Sequence, residues 1–127
     1  PYTTLFRSGI DLIGDRLIGA AVVGTGLPQV NCEREILKGY YDEKGEQGFD
    51  YAYRYPGMNK VLQAAGRVIR TKEDTGAILL MDERFLNRDY RNLFPREWND
   101  ACTCTLGNVE KHLQAFWDVS EENDIIC

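Results

Sequence analysis

Two short apolar runs, each bounded by glycine, constrain this fold more than any other feature. Leu17 to Val23 ends in the β-branched pair Val22-Val23 and stops at Gly24-Thr25-Gly26. Ala77 to Met81 is entered through Gly76. A third β-prone run, Tyr2 to Phe6, ends at the Ser8-Gly9 break. Continuous apolar runs of this length, separated by segments of helical period, predict strands of a mostly parallel sheet covered on both faces.

The segments between them read as helices and loops. Asn31 is placed to cap a helix running to about Tyr41, ended by Lys44-Gly45. Residues 45–57, rich in Gly and Tyr and containing Pro56, read as a loop. A second helix is predicted from near Gly57 to Thr71. At about 100° per residue, Met58, Val61, Leu62, Ala65, Val68 and Ile69 fall on one side of it. Lys60, Gln63, Arg67 and Arg70 fall together on the other, a row of an amide and three cations suited to a polyanion. Asp89 to Phe94 reads as a helical turn stopped by Pro95, and Val109, Leu113, Phe116 and Trp117 as one face of a C-terminal helix. Trp98, Phe116 and Trp117 are expected in the core. The order of elements is α/β, and a hydrophobic content of 43% in 127 residues is enough for a packed core rather than disorder.

Charge is unevenly spread. The net charge of −5 gives no support to nonspecific binding of nucleic acid or membranes. Yet between Arg54 and Lys72 there are five cations and no acid. No apolar stretch reaches the roughly 18 residues of a membrane span. The four cysteines, Cys32, Cys102, Cys104 and Cys127, match no familiar zinc or disulfide spacing. Cys102 and Cys104, one residue apart, read as a poor basis for a shared tetrahedral site. With His112 the one histidine, no metal site is expected. Reduced thiols fit a cytoplasmic protein. The chain opens at Pro1 on residues that already read as strand, so a segment of something longer is expected.

With this order in place, two stretches carry a resemblance. Gln63-Ala-Ala-Gly-Arg-Val-Ile-Arg70 resembles motif VI of superfamily 2 helicases. Followed by a Gly-led strand ending in Asp82-Glu83-Arg84, it is similar to the DinG/XPD-like DNA helicases. Phe6-Arg-Ser-Gly-Ile-Asp-Leu12, then Gly14-Asp-Arg-Leu17 and a strand leading to Leu27-Pro28, resembles the motif V region of the same family. The likeness covers about residues 3 to 98. It implies that residues 1–127 are the C-terminal portion of the second RecA-like motor domain. That fold is a partial P-loop NTPase-like, three-layer arrangement with a short, mostly parallel sheet between helices.

The resemblance also implies roles. ATP would lie in the cleft between two motor domains, and the first domain of the same polypeptide would supply the phosphate loop and hold Mg2+. Arg67 and Arg70 would be the catalytic pair facing the γ-phosphate, with Arg70 the finger. A guanidinium stays charged and offers forked donors to phosphate. Such a group is worth roughly 10³ to 10⁵ in rate in related nucleotide hydrolases. Gln63 would bond across the cleft. Gly66, costly in a helix interior, would permit close approach of a neighbouring backbone or of the nucleotide. Gly9 and Asp11 would take part in ATP binding. Ser8 and Gly9 would touch single-stranded DNA; read from the residues themselves, the cationic Lys60 and the aromatic Tyr53 are further candidates for DNA contact. The implied whole protein is an ATP-dependent DNA helicase. This segment alone is expected to be inactive, because no phosphate-binding loop is present in it.

Other readings stand beside these. Tyr51, Tyr53 and Tyr55 can stack on bases or pack against the sheet edge, the second being favoured. Asp82 and Arg84 read as an ion pair at a strand end. Ser8 occupies the place where the family usually has Glu, so a non-catalytic module that binds nucleic acid or protein is the alternative. A small independent nucleotide-binding protein would need its own phosphate site, and none is found.

Overall fold

The computed structural model describes residues 17–71 and 74–124, with side chains described as far as 118. The predicted strand Tyr2–Phe6 and the motif V residues Ser8, Gly9 and Asp11 lie outside the described residues. The chain divides into two compact units, with the break between Leu93 and Phe94.

In the first unit, β1 (Gly19–Val23) and β2 (Ala77–Met81) pair in parallel, with Gly19 opposite Ala77 and Val23 opposite Met81. Both predicted runs therefore form strands, and the long connection between them holds helices, as a parallel crossover requires. A parallel pair of strands flanked by helices is what the sequence predicts, although among the described residues the helices leave much of both strands accessible. No residue of either strand is buried, and Val23 and Met81 are 78% and 49% exposed. In this two-stranded sheet each strand keeps one unpaired edge among the described residues.

Helix α1 (Cys32–Glu43) begins and ends where the sequence places it. The Asn31 side chain accepts the Arg34 N–H at 2.9 Å, and the chain turns out at Gly45 with φ +78°. No residue of α1 is buried. Polar ties hold it instead. Arg34 Nη1 donates to the Ala52 carbonyl at 2.7 Å, and the Tyr53 hydroxyl donates to Glu35 Oε1 at 2.5 Å. Tyr41 stacks on Tyr51 at 4.0 Å.

The expected loop at 45–57 is mostly helical. A turn at 48–49 leads into a π-helical segment, Asp50–Arg54, and then into α2 (Tyr55–Ala65). Pro56 explains both the widened segment and the misreading. Proline has no N–H to give the carbonyl four residues back, and an extra residue in the coil is a common way to accommodate that loss. The carbonyl left without its usual partner is Ala52 O, which Arg34 takes.

Helix α2 packs on β1 through backbone contact. A Cβ at Gly26 would lie 2.8 Å from the Gly57 carbonyl, and one at Gly57 would lie 2.7 Å from the Thr25 carbonyl. Gly26 also has φ +66°. Two facing glycines thus let the turn after β1 touch the helix directly. Met58, Val61, Ala65 and Val68 are buried as predicted, forming the centre of the core with Ala52, Tyr53, Phe85 and Tyr90. Helix α3 (Arg88–Arg91) follows a 3-10 turn at Glu83–Leu86 and ends before Pro95.

The second unit holds a 3-10 turn at Arg96–Trp98 and helix α4 (Val109–Asp124). The predicted C-terminal helix is present. Its expected core is not: Phe116 is 41% exposed, and Trp98 and Trp117 are half-buried. The aromatic rings pair with neighbours close in sequence, Phe94 with Trp98 and Phe116 with Trp117, each edge to face. No described helix is long and apolar enough to cross a membrane.

Candidate functional site

The residues of the proposed phosphate-facing row lie at the C-terminal end of α2, and they do not form one helical row. Helix α2 stops at Ala65, so the predicted extension to Thr71 is corrected. The coil then tightens. Arg67 and Val68 donate their N–H groups three residues back, to Ala64 and Ala65, at 3.3 and 3.0 Å. Past Val68 the chain leaves the helical path. Ile69, expected in the apolar stripe, is 41% exposed, while Val68 stays buried.

What fixes the departing segment is Asp74, whose carboxylate accepts the N–H groups of Arg70 and Thr71, each at 2.8 Å. These two backbone donors, chiefly, hold the Asp74 carboxyl below the usual carboxylate range. The sequence reading assigned no role to Asp74. The signal was available: a short acidic side chain three and four residues past a helix-ending segment is suited to collect free N–H groups.

Gln63 is exposed on α2, Arg67 is half-buried in the turn after it, and Arg70 is exposed on the segment tied by Asp74. All three lie outside the packed interior, so an amide and two guanidinium groups are carried along one short stretch of chain, from the end of α2 into the segment beyond it. Gly66 is the residue that ends α2, with φ −66°, and is not in a helix interior. A Cβ there would meet the Leu62 carbonyl of its own preceding turn at 3.3 Å, and among the described residues no other segment's backbone comes close. Close approach occurs instead at Gly26 and Gly57.

Lys60 lines a shallow, largely apolar pocket of about 180 Å³ with Val22, Val23, Gly24, Gly26, Leu27 and Val61. The pocket lies at the C-terminal end of β1, where parallel sheets commonly bind ligands.

Two expectations about the surrounding residues need correction. Tyr53 is 4% exposed and its hydroxyl is held by Glu35, which leaves no open ring face for a base. Tyr53 is packed, though against Phe49 and against Glu35 of α1, and not against the sheet edge as expected. Its hydroxyl is held above the ordinary phenol value, first by that hydrogen bond. Arg54, counted in the basic island, is half-buried and internal to the fold. Its guanidinium pairs with Asp50 at 2.6 Å and Asp89 at 3.3 Å and lies over the Phe49 and Tyr90 rings. The positive charge available at the surface of this stretch is therefore smaller than the sequence suggests.

Asp82 and Arg84 form the ion pair read from the sequence. Arg84 Nη2 and Nε contact Asp82 at 2.7 and 2.9 Å, and Asp82 also accepts the Arg84 N–H to cap the following 3-10 turn. The Arg84 side chain, first, keeps the Asp82 carboxyl low.

The cysteine reading also changes. Cys102 Sγ lies 3.6 Å from Cys104 Sγ and 3.8 Å from His112 Nδ1. The spacing judged poor for a shared site in fact brings two thiols together. In an extended segment, residues two apart face the same side, so the pair points one way. Desolvation, and then the contact with Cys102, push the Cys104 thiol up.

Comparison with known proteins bears on the whole first unit. Residues 2–101 match the model of the helicase C-terminal domain family. The chain is 31% identical over 110 residues to a regulator of telomere elongation helicase 1 homolog from Caenorhabditis elegans, covering 74% of this chain and 11% of that protein. It is 32% identical over 90 residues to the ATP-dependent DNA helicase DinG of Photobacterium profundum, covering 69% of this chain and 13% of that protein. It is 30% identical over 91 residues to the general transcription and DNA repair factor IIH helicase subunit XPD of Dictyostelium discoideum, covering 69% and 12%. The chain thus spans only about an eighth of the length of these relatives. With the parallel strands, the crossover helices and the family match in agreement, this chain belongs to the helicase C-terminal domain family of the DinG/XPD-like helicases.

Proposed function

We propose that this chain is the C-terminal part of the second motor domain of an ATP-dependent DNA helicase. In this reading it forms one wall of the ATP cleft and part of the track for single-stranded DNA. Arg67 and Arg70 neutralise charge on the γ-phosphate during hydrolysis, Arg70 as the finger, and Gln63 bonds across the cleft. Gly9 and Asp11 of motif V border the nucleotide, and Ser8, Gly9 and Lys60 meet DNA phosphates. The first motor domain of the same polypeptide supplies the phosphate loop and the acids that hold Mg2+.

One observation supports this reading above the others. The chain keeps Arg67 and Arg70 out of its core and ties the Arg70 segment through main-chain bonds to Asp74, while the neighbouring Arg54 is held internally. Phosphoryl transfer is governed by positioning and charge neutralisation, and a backbone-tethered arginine supplies both. Lys60, beside the pocket at the end of β1, offers a compact charge suited to a phosphate.

A second reading, a non-catalytic nucleic-acid or protein binding module, is favoured by Ser8 in place of the usual motif V glutamate. Steady-state ATP turnover of the full-length protein, with and without single-stranded DNA, separates the two. The motor reading expects DNA-stimulated turnover that falls about 10³-fold or more in Arg70→Ala. DNA binding with no turnover in the unaltered protein would favour the module. Turnover unchanged in Arg70→Ala would remove the finger role.

A further inference from the structure

The second unit contains a feature that the helicase reading does not use. Cys102, Cys104 and His112 place two sulfurs and a ring nitrogen within 4.8 Å of one another. We propose that these three residues bind a zinc ion, giving the second unit a metal-stabilised structure.

Distances support the assignment. In a tetrahedral zinc site with ordinary Zn–S and Zn–N bond lengths, two sulfurs lie about 3.8 Å apart and a sulfur and nitrogen about 3.6 Å apart. The observed separations are 3.6 Å between the sulfurs and 3.8 Å from Cys102 Sγ to His112 Nδ1. Both separations are near the tetrahedral values, and the third pair, Cys104 and His112, lies within 4.8 Å. The sulfurs are well beyond the roughly 2.05 Å of a disulfide.

The backbone holds the three ligands in register. Cys102 and Cys104 occupy the irregular segment 101–105, and His112 is in the first turn of α4. That segment is tied to the helix start. The Thr105 N–H donates to Asn108 Oδ1 at 2.7 Å, and the Thr105 carbonyl accepts the Val109 N–H at 3.0 Å. The His112 N–H then donates to the Asn108 carbonyl at 3.2 Å.

The donor set favours zinc. Two thiolates with an imidazole suit a borderline-soft, tetrahedral divalent ion, and not magnesium or calcium, which take oxygen ligands. Cys102 and His112 are exposed and Cys104 is half-buried, so the fourth position is open to water.

The energetic setting agrees. No described residue of the second unit is buried, and Leu106 is 93% exposed. A unit this small, with no apolar interior among its described residues, is the kind that metal ligation commonly stabilises. Binding is balanced by loss of the two thiol protons to solvent, the imidazole entering as its neutral form.

The test uses the 127-residue chain purified under reducing conditions. Zinc content is measured after exhaustive dialysis, followed by titration with cobalt(II) as a spectroscopic substitute. One zinc per chain is expected, with a tetrahedral cobalt spectrum carrying sulfur-to-metal charge transfer. Zinc should protect two of the four thiols from alkylation and slow amide exchange between residues 101 and 113. Cys104→Ser and His112→Ala should each weaken cobalt binding by more than about 100-fold, beyond what loss of a merely supporting residue costs. Cys32→Ser should leave it unchanged. Absence of retained zinc together with no tetrahedral cobalt spectrum would overturn the proposal. So would equal loss in Cys32→Ser, or a Cys102–Cys104 disulfide in chain kept under reductant.

Discussion

The two units differ in what holds them. The first encloses all eight buried apolar side chains found among the described residues, from Ala52 to Tyr90. It also carries backbone-to-backbone contacts at its glycines and a guanidinium clasped between two helical segments. The second has no buried side chain among the described residues, and its rings pair with near neighbours in sequence. Core packing tolerates little change in volume, whereas an exposed side chain has few partners to lose. The same kind of substitution should therefore have very different effects in the two.

The largest effect expected is at Gly48. A Cβ there would lie 2.1 Å from the Lys38 carbonyl and 2.7 Å from Asp42 Oδ1, the atom that accepts the Gly48 N–H. Gly48→Ala must separate α1 from the start of the next helical segment, at a cost of about 3 kcal/mol or more. Denaturant unfolding should register it, and a midpoint equal to the unaltered chain would refute the tight packing inferred for this turn. Next in size is Arg54→Ala, which leaves Asp50 half-buried without its cation and uncouples α3 from the π-helical segment. A loss of about 1–3 kcal/mol is expected, below that for a wholly buried pair because Asp89 is 65% exposed. Smallest is Leu106→Ser in the second unit. With the side chain 93% exposed, thermal unfolding should move by no more than about 0.5 kcal/mol. A large loss there would mean that the second unit has packing partners beyond those described.

The contrast also shows which parts were legible in the sequence. Strands β1 and β2, helix α1 and the buried stripe Met58-Val61-Ala65-Val68 follow from glycine punctuation and apolar period, because those signals are local. The helix over 48–57 was hidden by Pro56 and the surrounding glycines. Their breaking tendency is offset by a π-helical widening and by Arg34, which comes from another element. The end of α2 was misplaced because helical period cannot register Asp74, a carboxylate that draws the main chain out of the helix from beyond it. The partner that fixes Tyr53, Glu35, and the second partner of Arg54, Asp89, are distant in sequence, whereas the nearer partner of Arg54, Asp50, lies one helical turn away at a spacing the sequence does display. The convergence of Cys102, Cys104 and His112 depends on how the Thr105–Asn108 turn folds back. Spacing between the cysteines alone did not reveal it.

The central claim is that two arginines of one basic island have opposite duties, Arg54 in folding and, in the proposed function, Arg70 in chemistry. The direct test is ATP turnover and thermal stability of the full-length protein carrying Arg70→Ala or Arg54→Ala, measured side by side. Arg70→Ala should lose turnover about 10³-fold or more while the protein stays folded at the assay temperature, and Arg54→Ala should lower the melting temperature. Normal turnover in Arg70→Ala, or a loss of turnover traceable to its unfolding, would contradict the account.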